Sequence, residues 1–417
     1  MLRFIALSDP ADPSNELTKL NICTENIMEK PLNEAQSQCC DFGIGKRFGK
    51  WRIRDKLDEG GFGHVYLVED VNKRGEYAAL KAEPNDISGG SAIKLEVLIA
   101  RFLNRNGDAP HVMQLYHSAK HRKFCYMIVT LLGENLRTLK ESLRDGVMSV
   151  STWSRIGIQC LYAIKLLHDI GFLHRDIKPA NFAMGDQRDA DRARCVHILD
   201  FGLARIYAYE RDGIWIARRA RASAHFRGTL RYCSPSVHER KEQGRKDDVW
   251  SLIYILVEFH CGLPWQKERN IQKLERIKLG ISDAELMKNF PEEMHDILPY
   301  LRTLTCYNRP DYAKIHRCFL NVMRKLNVKY DDRYDWETPM QVEKLLEKRT
   351  KRPAYENAEE FFRSDPIKID APPPIGQDII ARQSAEIISE MLATEKKYRR
   401  ESQKTSSKNT DTDDKHR

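Results

Sequence analysis

The sequence predicts a mixed α+β fold, with strands gathered early in the chain and helices behind them. Two observations carry this. Residues 51–57, 65–68 and 77–83 alternate or run apolar over strand lengths, and the first two flank a glycine-rich turn. Residues 91–103, the stretch ending in Lys165-Leu-Leu-His168, and residues 249–261 are patterned as helices.

The 417 residues are 41% hydrophobic and 31% charged, the balance of an ordinary globular chain long enough for one large two-lobed domain with extensions. No apolar run reaches the roughly 20 residues a membrane span needs. Residues 249–261 come nearest, but Glu258 and His260 interrupt them, so a buried core helix is expected. Residues 1–7 are too short an apolar run for a signal peptide. Ten cysteines without C-x-x-C spacing argue against a zinc site or a disulfide framework, and for a reduced, intracellular chain, cytoplasmic or nuclear. The net charge is +9; residues 1–47 hold −2 and residues 338–417 hold +1, so the middle carries +10. Such a balance suits nucleic acid, an acidic membrane surface or acidic proteins, and composition does not choose among them.

Three segments are expected. Residues 1–47 are a polar, largely disordered extension, residues 48–337 a densely patterned domain, and residues 338–417 a tail. Residues 350–353 and 371–374 read as linkers, residues 377–400 as an amphipathic helix, and residues 401–417 as disordered.

The chemistry begins at Leu57-Asp-Glu-Gly60-Gly61-Phe62-Gly63-His-Val65. A glycine turn between strands can bring backbone N–H groups close to phosphate oxygens, because no Cβ holds the ligand away. A plain hairpin would read the same way. It lacks the G-K-[ST] ending of a P-loop. Further on, Tyr77-Ala-Ala79-Leu-Lys81-Ala-Glu83 places a lysine inside an apolar strand, where it needs a partner. Glu96, on the following helix, could hold the ammonium against α- and β-phosphates. A surface lysine is the alternative.

The decisive block is Gly171-Phe-Leu-His174-Arg175-Asp176-Ile-Lys178-Pro-Ala-Asn181-Phe182, with Asp200-Phe201-Gly202 following. Phosphoryl transfer needs charge placement more than covalent chemistry. Asp176 can accept the hydroxyl proton and Lys178 can stay by the moving phosphoryl. Asn181 and Asp200 can hold Mg²⁺, which takes few protein oxygens and borrows the rest from phosphates and water.

These strings, with Leu131-Leu-Gly-Glu-Asn-Leu136, Phe226-Arg-Gly-Thr-Leu-Arg-Tyr232, Asp247-Asp-Val-Trp-Ser251, Arg309-Pro-Asp-Tyr312 and Tyr334-Asp-Trp-Glu337, resemble the protein kinases. Within them the chain is most similar to the casein kinase I group and its tau-tubulin kinase-like branch. The resemblance implies a bilobal α+β fold, with a small, mainly β N-lobe and a large, mainly α C-lobe. It also implies ATP and Mg²⁺ as cofactors and serine or threonine as acceptor, the latter through Lys178. By the same resemblance Val129 is the gatekeeper and residues 130–132, Leu132 included, form the hinge. Leu57, Val65 and Ala79 sandwich adenine, and Asp248 braces the catalytic loop.

Two departures stand out. Asp58 occupies the family's first loop glycine, where an inward carboxylate would repel phosphate. Ser234-Pro-Ser236 replaces Ala-Pro-Glu, as in casein kinase I-like enzymes. A basic run spans residues 218–246, and the resemblance implies that its cations, Arg227 and Arg231 foremost, bind acidic or phosphorylated residues near the acceptor. A solvated basic face is the other reading. The expected partners are therefore acidic or phosphorylated protein substrates of a monomer, with no nucleic acid and no membrane span. The alternative function is a pseudokinase, the same fold serving as a binding or scaffolding module.

Overall fold

The computed structural model describes residues 39–60, 63–85, 91–105, 109–211, 213–369 and 371–373. Its first lobe is one antiparallel sheet of β1 (Arg47–Phe48), β2 (Trp51–Gly60), β3 (Gly63–Asp70), β4 (Tyr77–Pro84), β5 (Leu115–Lys120) and β6 (Phe124–Thr130), in the order β1-β2-β3-β4-β6-β5. Period-two alternation gives the sheet two faces. Ile53, Tyr66, Val68, Ala78, Leu80, Ala82 and Ile128 fill one. Ala79 and Val129 turn to the other, against helix α1 (Ile93–Leu103), through Ile93 and Val97.

The chain then crosses to a mainly helical lobe through β7 (Leu132–Asn135). Helices α2 (Leu136–Ser142) and α3 (Val150–His168) follow, each started by a side-chain cap, Asn135 and Ser149. Short strands β8 (Phe172–Leu173), β9 (Phe182–Gly185), β10 (Val196–Ile198) and β11 (Arg205–Ile206) frame the segments that bear Asp176 and Asp200. β9 lies between β10 and β7, and β8 pairs with β11. A hairpin of β12 (Ala208–Arg211) and β13 (Ile214–Ala217) comes next. Helices α4 (Pro235–His238), α5 (Arg245–His260), α6 (Ile271–Gly280), α7 (Asp283–Met287), α8 (Ile297–Arg302) and α9 (Tyr312–Lys325) complete the lobe. Its core joins Trp153, Trp250, Trp265 and Phe319. The segment 249–261 lies almost wholly within α5, buried as its composition indicates. Among the described residues no helix is long and apolar enough to cross a membrane.

The expected edges at 47 and 337 do not mark where packing stops. Cys40 and Phe42 are buried on the sheet, and Phe42 N–H donates to Tyr66 Oη at 2.9 Å while Tyr66 Oη–H donates to Cys40 O at 2.7 Å. Beyond 337, α10 (Pro339–Lys348) and α11 (Glu359–Arg363) pack on the large lobe, and Tyr355, Phe362, Ile367 and Ile369 are buried. The supposed linker at 350–353 is fastened by Thr350 N–H and Oγ1, which donate to Asp191 at 2.6 and 2.7 Å. Isolated apolar residues on irregular backbone carry no period to read, so their burial depends on surfaces supplied by distant helices. Residues 1–38, the expected helix at 377–400 and the expected disordered end at 401–417 lie outside the described residues.

Candidate active site

Strand β4 places Lys81 on the face turned to α1, where Glu96 sits one turn inside the helix. Lys81 Nζ reaches Glu96 Oε1 at 2.5 Å and Glu83 Oε1 at 3.3 Å. Burial pushes the Glu96 carboxyl upward, aided by the charges of Asp200 and Glu83 and opposed by Lys81. Burial works against the Lys81 ammonium, but the three carboxylates outweigh it and hold that ammonium charged.

The catalytic-loop residues are set by hydrogen bonds rather than by regular structure. Asp248, on α5, accepts the backbone N–H groups of His174 and Arg175, each at 2.8 Å. Its Oδ2 also meets His168 Nε2 at 2.9 Å, and His168 Nδ1 meets Tyr312 Oη at 2.6 Å. Asp176 is buried. Its Oδ1 accepts the Thr229 hydroxyl at 2.6 Å, and its Oδ2 lies 2.7 Å from Lys178 Nζ. Asn181 Nδ2 donates to Asp176 O at 2.9 Å. Leu199 N–H donates to Asn181 O at 2.9 Å, which ties the loop to the approach of Asp200. Asp200 has φ +61 and accepts Gly202 N–H at 3.2 Å. Although burial raises its pKa, the charges of Lys81 and Lys178 and the Gly202 N–H bring it below the ordinary value.

Of the expected base-binding residues, Ala79, Val129 and Leu132 pack together. Ala79 pairs with Val129 across β4 and β6, and Leu132 and Leu199 pack with them. Val65 is half-buried on β3, and Leu57 is exposed on β2. Gly60 pairs with Gly63 where β2 and β3 meet; Gly61 and Phe62 lie outside the described residues. Gly63 has φ +149, and a Cβ there would meet Ala82 O at 2.0 Å, so no other residue fits without displacing β4. Asp58 is exposed and has no positive φ, and its Oδ1 accepts the next N–H, that of Glu59, at 2.8 Å.

The basic run is organised differently from its sequence. Arg231 Nη1 lies 3.3 Å from Glu258 Oε1 and its Nη2 donates to Gln266 O at 2.9 Å, so an incoming anion would compete with Glu258. Arg227 is largely buried. Arg245 donates to Tyr307 O and Ile369 O, and Lys246 pairs with Asp247 at 3.1 Å. Arg221 binds Glu242 at 2.7 Å, with Arg205 at 3.9 Å from the same residue. Burial lowers Arg205 to about 8 and Arg175 to about 9; Arg218 and other arginines add repulsion, which Glu242 only partly offsets. Glu83, Thr229, Glu242 and Glu258 are site residues that sequence reasoning missed. Glu83 and Thr229 stood in quoted strings, 77–83 and 226–232, and Glu258 was noted only as an interruption of an apolar run, but none was given a role.

Among the described residues no three His, Cys, Asp or Glu side chains converge as a metal cluster. Asn181 spends its amide N–H groups on Asp176, leaving its amide oxygen for a cation, and Asp200 offers a second oxygen. Two protein oxygens fit an ion that takes its other ligands from phosphates and water.

Residues 51–319 match the protein kinase domain family. The chain belongs to the protein kinases. A putative serine/threonine-protein kinase of Caenorhabditis elegans is 42% identical over 294 residues, covering 70% of this chain and 83% of that one. A protein of the same organism named inactive tau-tubulin kinase is 41% identical over 286 residues, 67% of this kinase and 97% of the relative. A putative casein kinase I from that organism is 29% identical over 324 residues, covering 76% and 92% of the two chains. Kinases named for both the casein kinase I and tau-tubulin branches are therefore relatives of this one.

Proposed function

We propose that this kinase is active, transferring the γ-phosphoryl group of ATP to serine or threonine hydroxyls of acidic or phosphorylated proteins. The observation that supports activity is the Lys81–Glu96 ion pair at 2.5 Å, the arrangement that presents a lysine to the nucleotide phosphates. Asp176 would accept the hydroxyl proton, held in place by Thr229 and Asn181. Lys178 lies beside it to offset charge on the moving phosphoryl group. Asn181 and Asp200 would hold Mg²⁺, which when bound neutralises phosphate charge. The anionic substrate preference is supported by the +10 excess between residues 48 and 337. The approach of Arg221 at 2.7 Å and Arg205 at 3.9 Å to the carboxylate of Glu242, with Arg175 within its field, supports it further.

The test is transfer from labelled ATP to an acidic protein, with Asp200→Asn as the reference. Wild-type transfer no higher than that of folded Asp200→Asn would overturn the reading. The second reading is a catalytically silent binding module. It is favoured by the relative named inactive. Nucleotide binding without phosphotransfer would support it.

A further inference from the structure

Glu83 is fully buried, two residues beyond Lys81 on the same face of β4. A carboxylate there is costly unless its oxygens are satisfied. Its Oε1 lies 3.3 Å from Lys81 Nζ. Its Oε2 accepts the Ser91 hydroxyl at 2.8 Å and the Ile93 backbone N–H at 3.3 Å.

Those last two partners stand at the start of α1. The first N–H groups of any helix lack partners within it, and a residue before the helix usually supplies one. Here that residue is Ala92, which makes no side-chain cap. Glu83 supplies the acceptor from a different element, and its charge sits at the positive end of the helix dipole. Ser91 Oγ also lies 2.8 Å from Cys125 Sγ on β6 and accepts Ile93 N–H at 3.2 Å, so one group of side chains joins β4, β6 and α1. One carboxylate thereby touches Lys81 directly and the helix bearing Glu96 at its root.

We propose that Glu83 is a positioning residue for phosphoryl transfer, fastening α1 to β4 so that Glu96 stays within reach of Lys81. The catalytic consequence rests on the chain being an active kinase; the fastening does not. With Glu83 absent, α1 loses its anchor on the lysine-bearing strand and Glu96 can swing from Lys81. Lys81 would then lose both close carboxylates and keep the attraction of Asp200.

The experiment uses the full chain and compares wild type, Glu83→Ala and Glu83→Gln. Hydrogen exchange is read on the amides of residues 93–103 without nucleotide, alongside kcat and KM for ATP. Glu83→Ala should speed exchange across α1 by about tenfold or more while β2 and β3 stay protected. It should lower kcat by about tenfold or more, a larger change than in KM. Glu83→Gln keeps an oxygen that can accept Ile93 N–H, so it should restore α1 protection and most of kcat. A residue that merely fills space would show no such rescue. Wild-type exchange in folded Glu83→Ala, or no recovery of protection in Glu83→Gln, would overturn the proposal. If Glu83→Ala does not fold, Ser91→Ala removes one of the two links and must still speed α1 exchange for the proposal to stand. If wild type transfers no phosphate, the exchange comparison still decides the role of Glu83, and the silent kinetics count against the active-kinase reading alone.

Discussion

Asp248 Oδ1 accepts the backbone N–H of Arg175 at 2.8 Å and so holds that residue at φ +67, immediately before Asp176. A non-glycine residue in the left-handed region costs about 1–3 kcal/mol and persists only when its surroundings enforce it. The enforcement comes from a residue more than seventy positions away on α5. Asp248→Ala would strand two N–H groups and His168, so stability should fall by about 3 kcal/mol or more. Urea unfolding checks the stability. A fall in kcat in whatever fraction stays folded checks the bracing of the loop, and an unchanged unfolding midpoint would contradict both.

Asp176→Asn should lower turnover by about a hundredfold or more at an unchanged fold, because an amide cannot take the hydroxyl proton. Thr229 would keep an oxygen acceptor, while the amide NH2 would replace the oxygen that faces Lys178. Circular dichroism and single-turnover phosphotransfer on the same preparation make the test, and near wild-type turnover would remove Asp176 from its assigned role.

In the glycine loop two substitutions should differ sharply. Gly63→Ala drives a Cβ toward Ala82 O, so the loop or β4 must shift, and nucleotide affinity should drop at least about tenfold. Asp58→Gly should change affinity by no more than about threefold, since the exposed carboxylate caps the Glu59 N–H and is screened by salt. Titration with a fluorescent nucleotide measures both. A large gain from Asp58→Gly would mean that the carboxylate turns toward the phosphates.

Phe362 is fully buried, and Arg309 Nη2 donates to Phe362 O at 3.0 Å and Ser364 O at 2.7 Å. Phe362→Ala should cost about 3–5 kcal/mol, as for other large side chains removed from a core. Removing every residue after Lys348 should cost more and expose apolar surface. Thermal unfolding of both proteins tests whether this segment belongs to the domain; an unchanged Tm would return it to the tail.

Stability should also fall in mild acid. Burial lowers His111 to about 4 and His197 to about 3, from an ordinary 6.5. Below about 6.5 the unfolded chain binds protons that these folded imidazoles refuse. Stability therefore drops as pH falls toward 4, by about 1.4 kcal/mol per pH unit for each residue. His197→Gln should flatten that slope by one residue's share. Urea midpoints at pH 7 and 5.5 would show it, and identical slopes in wild type and variant would rule it out.

The candidate constellation could be proposed from the sequence because its parts lie in short contiguous strings. His174 to Asn181 and Asp200 to Gly202 each combine chemistry and spacing within a dozen residues, and a carboxylate or lysine in such a string has few other uses. The α+β order was legible for a similar reason, since period two and period 3.6 are local properties. Only the tertiary structure decided which cations are already paired. Arg231 and Glu258 are 27 positions apart, and nothing in either neighbourhood announces their ion pair. Only the tertiary structure placed Glu83 beneath α1, or buried Tyr355, Phe362 and Ile369 on the large lobe. Charge and hydrophobicity belong to a residue, but pairing and burial belong to the surfaces that meet it, and those are assembled from segments far apart in the chain.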